Sequence, residues 1–311
     1  MRQPIIRPML QSDLDVADRV HRIAFGTRFG LPDPATFRGD AQLVRNRWAI
    51  DATTSFVAEA DGVIVGGACA MDWGSVFIVG PVFVQPDQAG RGIARMLMDR
   101  MMALADKRGP KLAGLFTFPE SATHLRLYES FGFVPQALTP IMTKAPGSVV
   151  PCAGVPFSKL SAAARERALE KCRDVTNAMF PGLDLTSEIR AIATLGLGDT
   201  ILLGPDGEIR GFALCHSGAG SEGGSGTVFV KFAAVRPRSP EDFEHLLDCC
   251  EEYAVAVGAE RLAAGTNTAR SGAYRIMRER GFRAGLVGVA MHRPDGTGYN
   301  RPDVFAIDDW R

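Results

Sequence analysis

A chain of 311 residues exceeds what one hydrophobic core usually serves, so two domains of about 150 residues each are expected. Its 35 basic side chains balance 35 acidic ones, which removes the bulk field that would draw it to nucleic acid or to a membrane surface. Asp13, Asp15, Asp18, Arg19 and Arg22 break the apolar core a signal peptide needs, and no apolar run reaches the roughly 18 residues of a membrane span, so a cytoplasmic location is expected. The 6 cysteines and 5 histidines show no paired metal-ligand spacing; buried free thiols and no metal are expected.

The first helix places Val16, Val20 and Ile23 at helical spacing, with Ser12 and Asp15 as its expected cap. Val57 to Gly66 alternates around Asp61-Gly62, a hairpin signal. A strand follows over Val76 to Val84, and Gly80-Pro81 inside it points to a bulge or a splayed edge, because proline offers no ladder donor and glycine packs nothing. A helical pattern from Ile93 to Lys107, a strand over Leu112 to Phe118 and a short helix ending at Phe131-Gly132-Phe133 complete a unit.

The same signals recur in the same order. Leu202 to Gly211 repeats the hairpin around Asp206-Gly207, Phe232 to Pro237 repeats the strand before a helix from Asp242 to Val257, and Met277 to Phe282 repeats the closing motif. Three ordered matches indicate a tandem duplication. Pro146 to Pro156, rich in proline and glycine, reads as the linker between a first domain over 1–145 and a second over 157–311, with Ser161 capping the helix that follows. Each half has the pattern of an α/β or α+β layer arrangement around a mixed sheet.

The segment with most chemical content is Gln85-Pro86-Asp87-Gln88-Ala89-Gly90-Arg91-Gly92-Ile93-Ala94. A strand stops at Pro86, two glycines free the backbone, and a helix starts at once. Such a turn leaves amides unpaired at a helix N-terminus, where the macrodipole also favours negative charge, and that is the construction of a pyrophosphate cradle.

On these residues the chain resembles the GCN5-related N-acetyltransferase (GNAT) superfamily, whose Arg/Gln-x-x-Gly-x-Gly/Ala signature places Gly92 and Ala94 at its last two defined positions. The Arg/Gln position falls on Ala89, with Gln88 just before it; the loss removes a side chain and leaves the backbone donors in place. The resemblance covers roughly Ile5 to Lys144 and implies two tandem acyl-CoA N-acyltransferase-like domains, each a mixed, mostly antiparallel sheet flanked by helices. It implies acetyl-CoA as cosubstrate, its diphosphate on the amides of Ala89, Gly90, Arg91, Gly92, Ile93 and Ala94. Its pantetheine arm would run along the main chain of Val82, Phe83 and Val84 like an added strand.

Acyl transfer to an amine needs a neutral amine, and an alkyl ammonium of pKa about 10.4 is some three units from deprotonation at neutral pH, a deficit of about 4 to 5 kcal/mol. The resemblance places the acid that protonates the leaving thiolate at Tyr128, a few residues before Gly132-Phe133, where a core tyrosine is the competing reading. Ser121 takes the place of a cofactor-contacting asparagine, or caps the helix. The strands show no carboxylate to act as a base; Asp72, Glu120 and His124 are candidates by sequence proximity alone.

In the second half Val235-Arg236-Pro237-Arg238-Ser239-Pro240-Glu241-Asp242 lacks glycine, and its acidic pair would repel phosphate, so cofactor binding is expected to be lost there. Tyr274 is a secondary candidate for the acid. Ser217 to Gly226 holds five glycines and is expected to be a mobile hairpin loop. The tail Tyr299 to Arg311 is expected either to dock as a strand or to present Asp308 and Asp309 to an amine. The expected activity is N-acetylation of a primary amine of a small molecule or peptide; the alternative is a non-catalytic acyl-CoA sensor or interaction module.

Overall fold

The computed structural model describes residues 3–147, 152–204 and 208–311. The expected turn at Pro205-Asp206-Gly207 and linker positions 148–151 lie outside the described residues. The first unit runs β1 (Ile5–Pro8), α1 (Leu14–Arg28), α2 (Leu43–Ile50), β2 (Ser55–Ala60), β3 (Val63–Trp73), β4 (Val76–Val84), α3 (Ile93–Arg108), β5 (Leu112–Thr117), α4 (Ala122–Glu129) and β6 (Val134–Lys144). The second runs β7 (Gly154–Pro156), α5 (Ala162–Met179), α6 (Thr186–Leu195), β8 (Gly198–Leu203), β9 (Gly211–Gly218), β10 (Gly224–Val235), α7 (Pro240–Ala256), β11 (Arg261–Gly265), α8 (Ser271–Glu279), β12 (Arg283–Arg293) and β13 (Ala306–Ile307).

The expected repeat is present as a repeat of elements, but the two units share their closing strands. The sheet runs β1-β2-β3-β4-β5-β12-β6-β11-β10-β9-β8-β7, with β13 added against β10. Thus β12 pairs with β5 of the first unit, and β6 pairs with β11 of the second. The two exchanged strands pair antiparallel with each other, from Arg283 opposite Thr143 to His292 opposite Val134. All pairs in the sheet are antiparallel except β4 with β5 and β10 with β11. Such a hydrogen-bonded ladder cannot be pulled apart without exposing backbone donors and acceptors along two edges.

Local chemistry differs from expectation in three places. Helix α1 is entered through Asp13 rather than Ser12: the Asp13 carboxylate accepts from the Leu10 amide at 2.7 Å and from Arg7 at 2.6 Å, tying the helix entry to β1. Ser161 caps α5 as expected, its hydroxyl accepting from the Ala164 amide. Cys152 and Cys249, distant in sequence, form a disulfide, whereas Cys69, Cys172, Cys215 and Cys250 are buried free thiols. The glycine-rich segment around 217–226 is pinned instead of mobile. Asp40 accepts from the Ser225 amide at 2.9 Å and from its hydroxyl at 2.6 Å, the Asp40 carbonyl takes the Gly220 amide, and the Ser221 carbonyl takes the Gln42 amide.

Beneath that segment lies a buried charge cluster joining the units. Lys231, 3% exposed, donates to Glu188 at 2.9 Å and to Glu222 at 2.8 Å, both carboxylates being 1% exposed. Trp73 of β3 donates to Glu188 at 3.0 Å, and Arg47 of α2 lies 3.5 Å from Glu222. Burial alone pushes the Glu222 carboxyl up, but the charges of Lys231 and Arg47 reverse this and hold it well below the usual carboxylate range. A depressed carboxyl stabilises the fold at pH above its ordinary range, and that contribution fades as acid protonates it. Removing the central cation would leave two buried carboxylates with only Arg47 beside Glu222 and the Trp73 N–H on Glu188, so Lys231→Met should lower unfolding free energy by about 3 kcal/mol. Urea denaturation checks this, and adding Glu188→Gln to the same chain should recover part of the loss.

Candidate active site

The bulge expected at Gly80-Pro81 is present and does more than bend the strand. Strand β4 pairs with β5 only as far as Val79 opposite Leu115. Beyond that point Val82, Phe83 and Val84 pair with β3 alone, opposite Ala68, Gly67 and Gly66, and the register slips between Val79 and Val82. Their other side faces the gap left by β5. Buried Arg47 fixes the departure point, donating to the Gly80 carbonyl. Phe83 is buried against α1, while Val82 and Val84 are part-exposed.

The turn after β4 has the geometry of a cradle. A single 3-10 turn over Pro86–Gln88 leads to Ala89, and Gly90 and Gly92 then take φ of +78° and +77°. These are left-handed values that favour glycine over residues with a Cβ. Helix α3 begins at Ile93, with Met96 making the first helical bond back to Gly92. The main-chain N–H groups from Gly90 to Ala94 have no acceptor among the described residues. Ala89, Gly90 and Gly92 are exposed, Arg91 and Ala94 part-exposed, and Ile93 is buried as the anchor. Arg91 donates to Gln88 across the turn, bracing it from the side chains.

In the second unit the corresponding gap is closed by the chain itself. Counted back from the shared proline, Ala233 and Ala234 correspond to Val82 and Phe83. They pair with Ile307 and Ala306 of β13. Thr266 and Arg270 both donate to the Ala306 carbonyl, and Arg270 also donates to Asp308 at 2.9 Å. Tyr299 donates to the other Asp308 oxygen at 2.7 Å. Of the two readings of the tail, the docked strand is the one observed, and Asp308 is fully occupied by internal partners. Tyr274 packs against the second unit's core, away from the first unit's gap.

The gap in the first unit opens into a cavity of about 780 Å³ at the junction of the units. Tyr128 on α4 lines it, near Val82 and Pro81. Its hydroxyl has no hydrogen-bond partner among the described residues, which sets it apart from a core tyrosine with a satisfied hydroxyl. Burial pushes this phenol up to about 12. Ser121 occupies the N-cap position of α4 without a capping bond from its side chain.

The base candidates separate. Asp72 is engaged by Arg108 at 2.5 Å outside this cavity, and Glu120 is exposed and paired with Arg28 at 2.6 Å. His124 alone lines the cavity, its imidazole shifted down by burial and so neutral near pH 7. Several lining residues carry no signal in one sequence: His21, Phe25, Phe29, Phe37, Arg38 and Arg311. Spacing places His21 and Phe25 one turn apart on α1, but nothing in that spacing shows that the opposite wall comes from the far half of the chain.

A family model described as an acetyltransferase (GNAT) domain matches residues 51–135. An uncharacterized N-acetyltransferase of Methanocaldococcus jannaschii is 34% identical over 85 residues, covering 25% of this chain and 38% of that relative's length. Among solved structures, a putative acetyltransferase from Pyrococcus horikoshii aligns over 100% of this chain and 96% of its own, with TM-score 0.71 and 16% identity. A tandem GNAT protein from the clavulanic acid biosynthesis pathway aligns over 94% of this chain and 100% of its own, with TM-score 0.58 and 14% identity.

Residues 51–135 carry the match to the acetyltransferase (GNAT) domain, and the chain as a whole shares its fold with these two solved structures. The matched model ends at residue 135, so it covers β2 to α4 and only the first two residues of β6. That span contains the splayed strand, the cradle and Tyr128. One consequence is spectroscopic. With its phenol near 12, Tyr128 is only about one-tenth ionised a full unit lower. A difference titration of the native protein against Tyr128→Phe should therefore show no tyrosinate from this residue at pH 9 to 10.

Proposed function

We propose that the protein transfers an acetyl group from acetyl-CoA to a primary amine of a small molecule or peptide, using a cofactor site in the first unit only. The observation that carries this reading is the pair of gaps: open beside Val82 to Val84 and filled by β13 in the second unit. The turn over Ala89 to Ala94 fits a diphosphate, since the amides of Gly90 to Ala94 are unpaired and stand at a helix N-terminus, whereas the Ala89 amide is taken by the Pro86 carbonyl. The free edge of Val82, Phe83 and Val84 fits an extended amide-bearing arm. The same contrast supports a division into an active unit over 1–145 and a degenerate one over 157–311. Bound acetyl-CoA supplies the activated thioester carbonyl.

In the overall reaction a nitrogen–carbon bond forms, the carbon–sulfur bond breaks, and a proton passes from nitrogen to sulfur. The role of Tyr128 follows from magnitudes. A phenol near 12 is a weaker acid than a thiol of about 8.5, so complete transfer of its proton is uphill by some 3 units, or about 4 to 5 kcal/mol. Its Oη–H therefore acts as a hydrogen-bond donor to the sulfur as charge builds there, and the proton lost by the amine completes the exchange. A hydrogen bond to a charged group contributes about 1.5 to 3 kcal/mol, so Tyr128→Phe should lower turnover by about ten- to a hundred-fold. Calorimetric affinity for acetyl-CoA should change little. A loss above about a thousand-fold would point to full acid catalysis instead.

Gly92→Val places a β-branched residue at φ +77° and should weaken cofactor binding in the same calorimetric assay. Release of free CoA thiol with a panel of amines tests the activity itself. Tight binding without thiol release from any amine would favour the sensor reading.

A further inference from the structure

Resting on the acyl-transfer reading, we infer that the acceptor is a carboxylate-bearing amine of the amino-acid class, its carboxylate held by Arg38 and Arg311 and its apolar side chain lying against Phe25, Phe29 and Phe37. The cavity has two unlike walls. On the side of α1 the rings of Phe25 and Phe37 stack at 5.7 Å and those of Phe29 and Phe37 at 5.5 Å, giving a flat aromatic face. An aromatic wall of that kind holds an alkyl or aromatic side chain.

The side chains on the lining itself carry more positive than negative charge, with Glu222 and Asp309 behind it offsetting part of the excess. Arg38, Arg261 and Arg311 line the cavity together with a single carboxylate, Asp40, which already accepts two hydrogen bonds from Ser225. Arg261 is exposed and bonded to the Thr227 hydroxyl. Arg38 gives one N–H to the Glu222 carbonyl at 2.8 Å and is held at φ +63°, a conformation that persists in a non-glycine residue only where its surroundings impose it. The Arg311 guanidinium stacks on Phe229 at 4.5 Å, and its buried Nε and one Nη have no hydrogen-bond partner. Asp309 lies 2.9 Å from that Nη without the alignment of a hydrogen bond. Burial first, then the nearby charge of Arg311, bring the Arg38 guanidinium down to about 10 against the opposing charges of Glu222 and Asp309, so the two cations are close enough to feel each other. Two neighbouring guanidiniums with unused donors beside an aromatic wall are a receptor for a planar anion. A plain alkyl ammonium gains nothing there and meets repulsion.

The test compares acceptors that differ only in the carboxylate, using the full chain with acetyl-CoA: L-phenylalanine against phenethylamine, and L-leucine against 3-methylbutylamine. For each pair, thiol release gives kcat/KM, and calorimetry in the presence of CoA gives affinity. The carboxylate-bearing member should be favoured by about tenfold or more in both measurements, as one charge-assisted pair implies. Arg38→Gln should remove most of that preference, and Arg38→Lys, which keeps the charge but not the planar fork, should retain part of it. Calorimetry with CoA alone shows whether each variant is folded. Equal or better binding of the decarboxylated amines by the native protein overturns the inference without any variant. Binding of the amino acids that depends on Arg38, in the absence of any thiol release, would uphold the site while removing the acyl-transfer reading.

Discussion

The antiparallel pairing of β6 with β12 is the constraint on which the rest of the molecule depends. Each of these strands ends one unit of the sequence and completes the sheet of the other. The exchange converts two duplicated domains into one continuous sheet and removes the freedom of hinge motion that a short linker would otherwise allow. It also decides where a pocket can form. Because the units are locked side by side, the open gap of the first always faces the glycine-rich segment and tail of the second, and a cavity has walls from both halves.

Within that frame, function is set by what happens to two equivalent backbone edges. Strand β4 leaves β5 at Gly80-Pro81 and nothing replaces it, whereas β10 leaves β11 and β13 fills the place. Buried main-chain donors and acceptors must find partners, so the second edge was available to a strand of the same chain. An unfilled edge in the first unit remains available to an extended ligand. The same logic applies to the turns: Gly90 and Gly92 hold amides open at the start of α3, while α7 opens with Pro240 and two acidic residues in its first turn.

Local devices were legible in the sequence, and long-range ones were not. The bulge at Gly80-Pro81, the left-handed glycines and the repeat follow from short stretches whose residue types admit few conformations, while the place of Tyr128 was legible only through the family resemblance. The strand exchange could not be read, because β6 and β12 have the same alternating pattern whichever sheet they join. The Cys152–Cys249 disulfide was hidden by the length of chain between its partners. The segment around Ser221 misled for a specific reason. Its glycines permit mobility, but the acceptors and donors that hold it, Asp40, Gln42 and Asn46, lie in the other half of the chain. Arg38 and His21 carry no signal at all until that half is in place.

That arrangement also explains why neither sheet strand carries a basic carboxylate at the cavity. An amine must lose a proton before it attacks, and an ammonium entering this cavity meets the environment already imposed on His21. There burial, then the charges of Arg38, Arg22 and Arg47, drive the imidazole down to about 3. Both influences act on any cation in the same direction, favouring the neutral base. A carboxylate beside the amine would stabilise the ammonium and work against this bias. In the proposed complex the acceptor's carboxylate and the guanidiniums of Arg38 and Arg311 offset one another, so burial, with the charges of Arg22 and Arg47, would be what lowers the amine's proton affinity toward the deficit of about three units that a free amine carries at neutral pH.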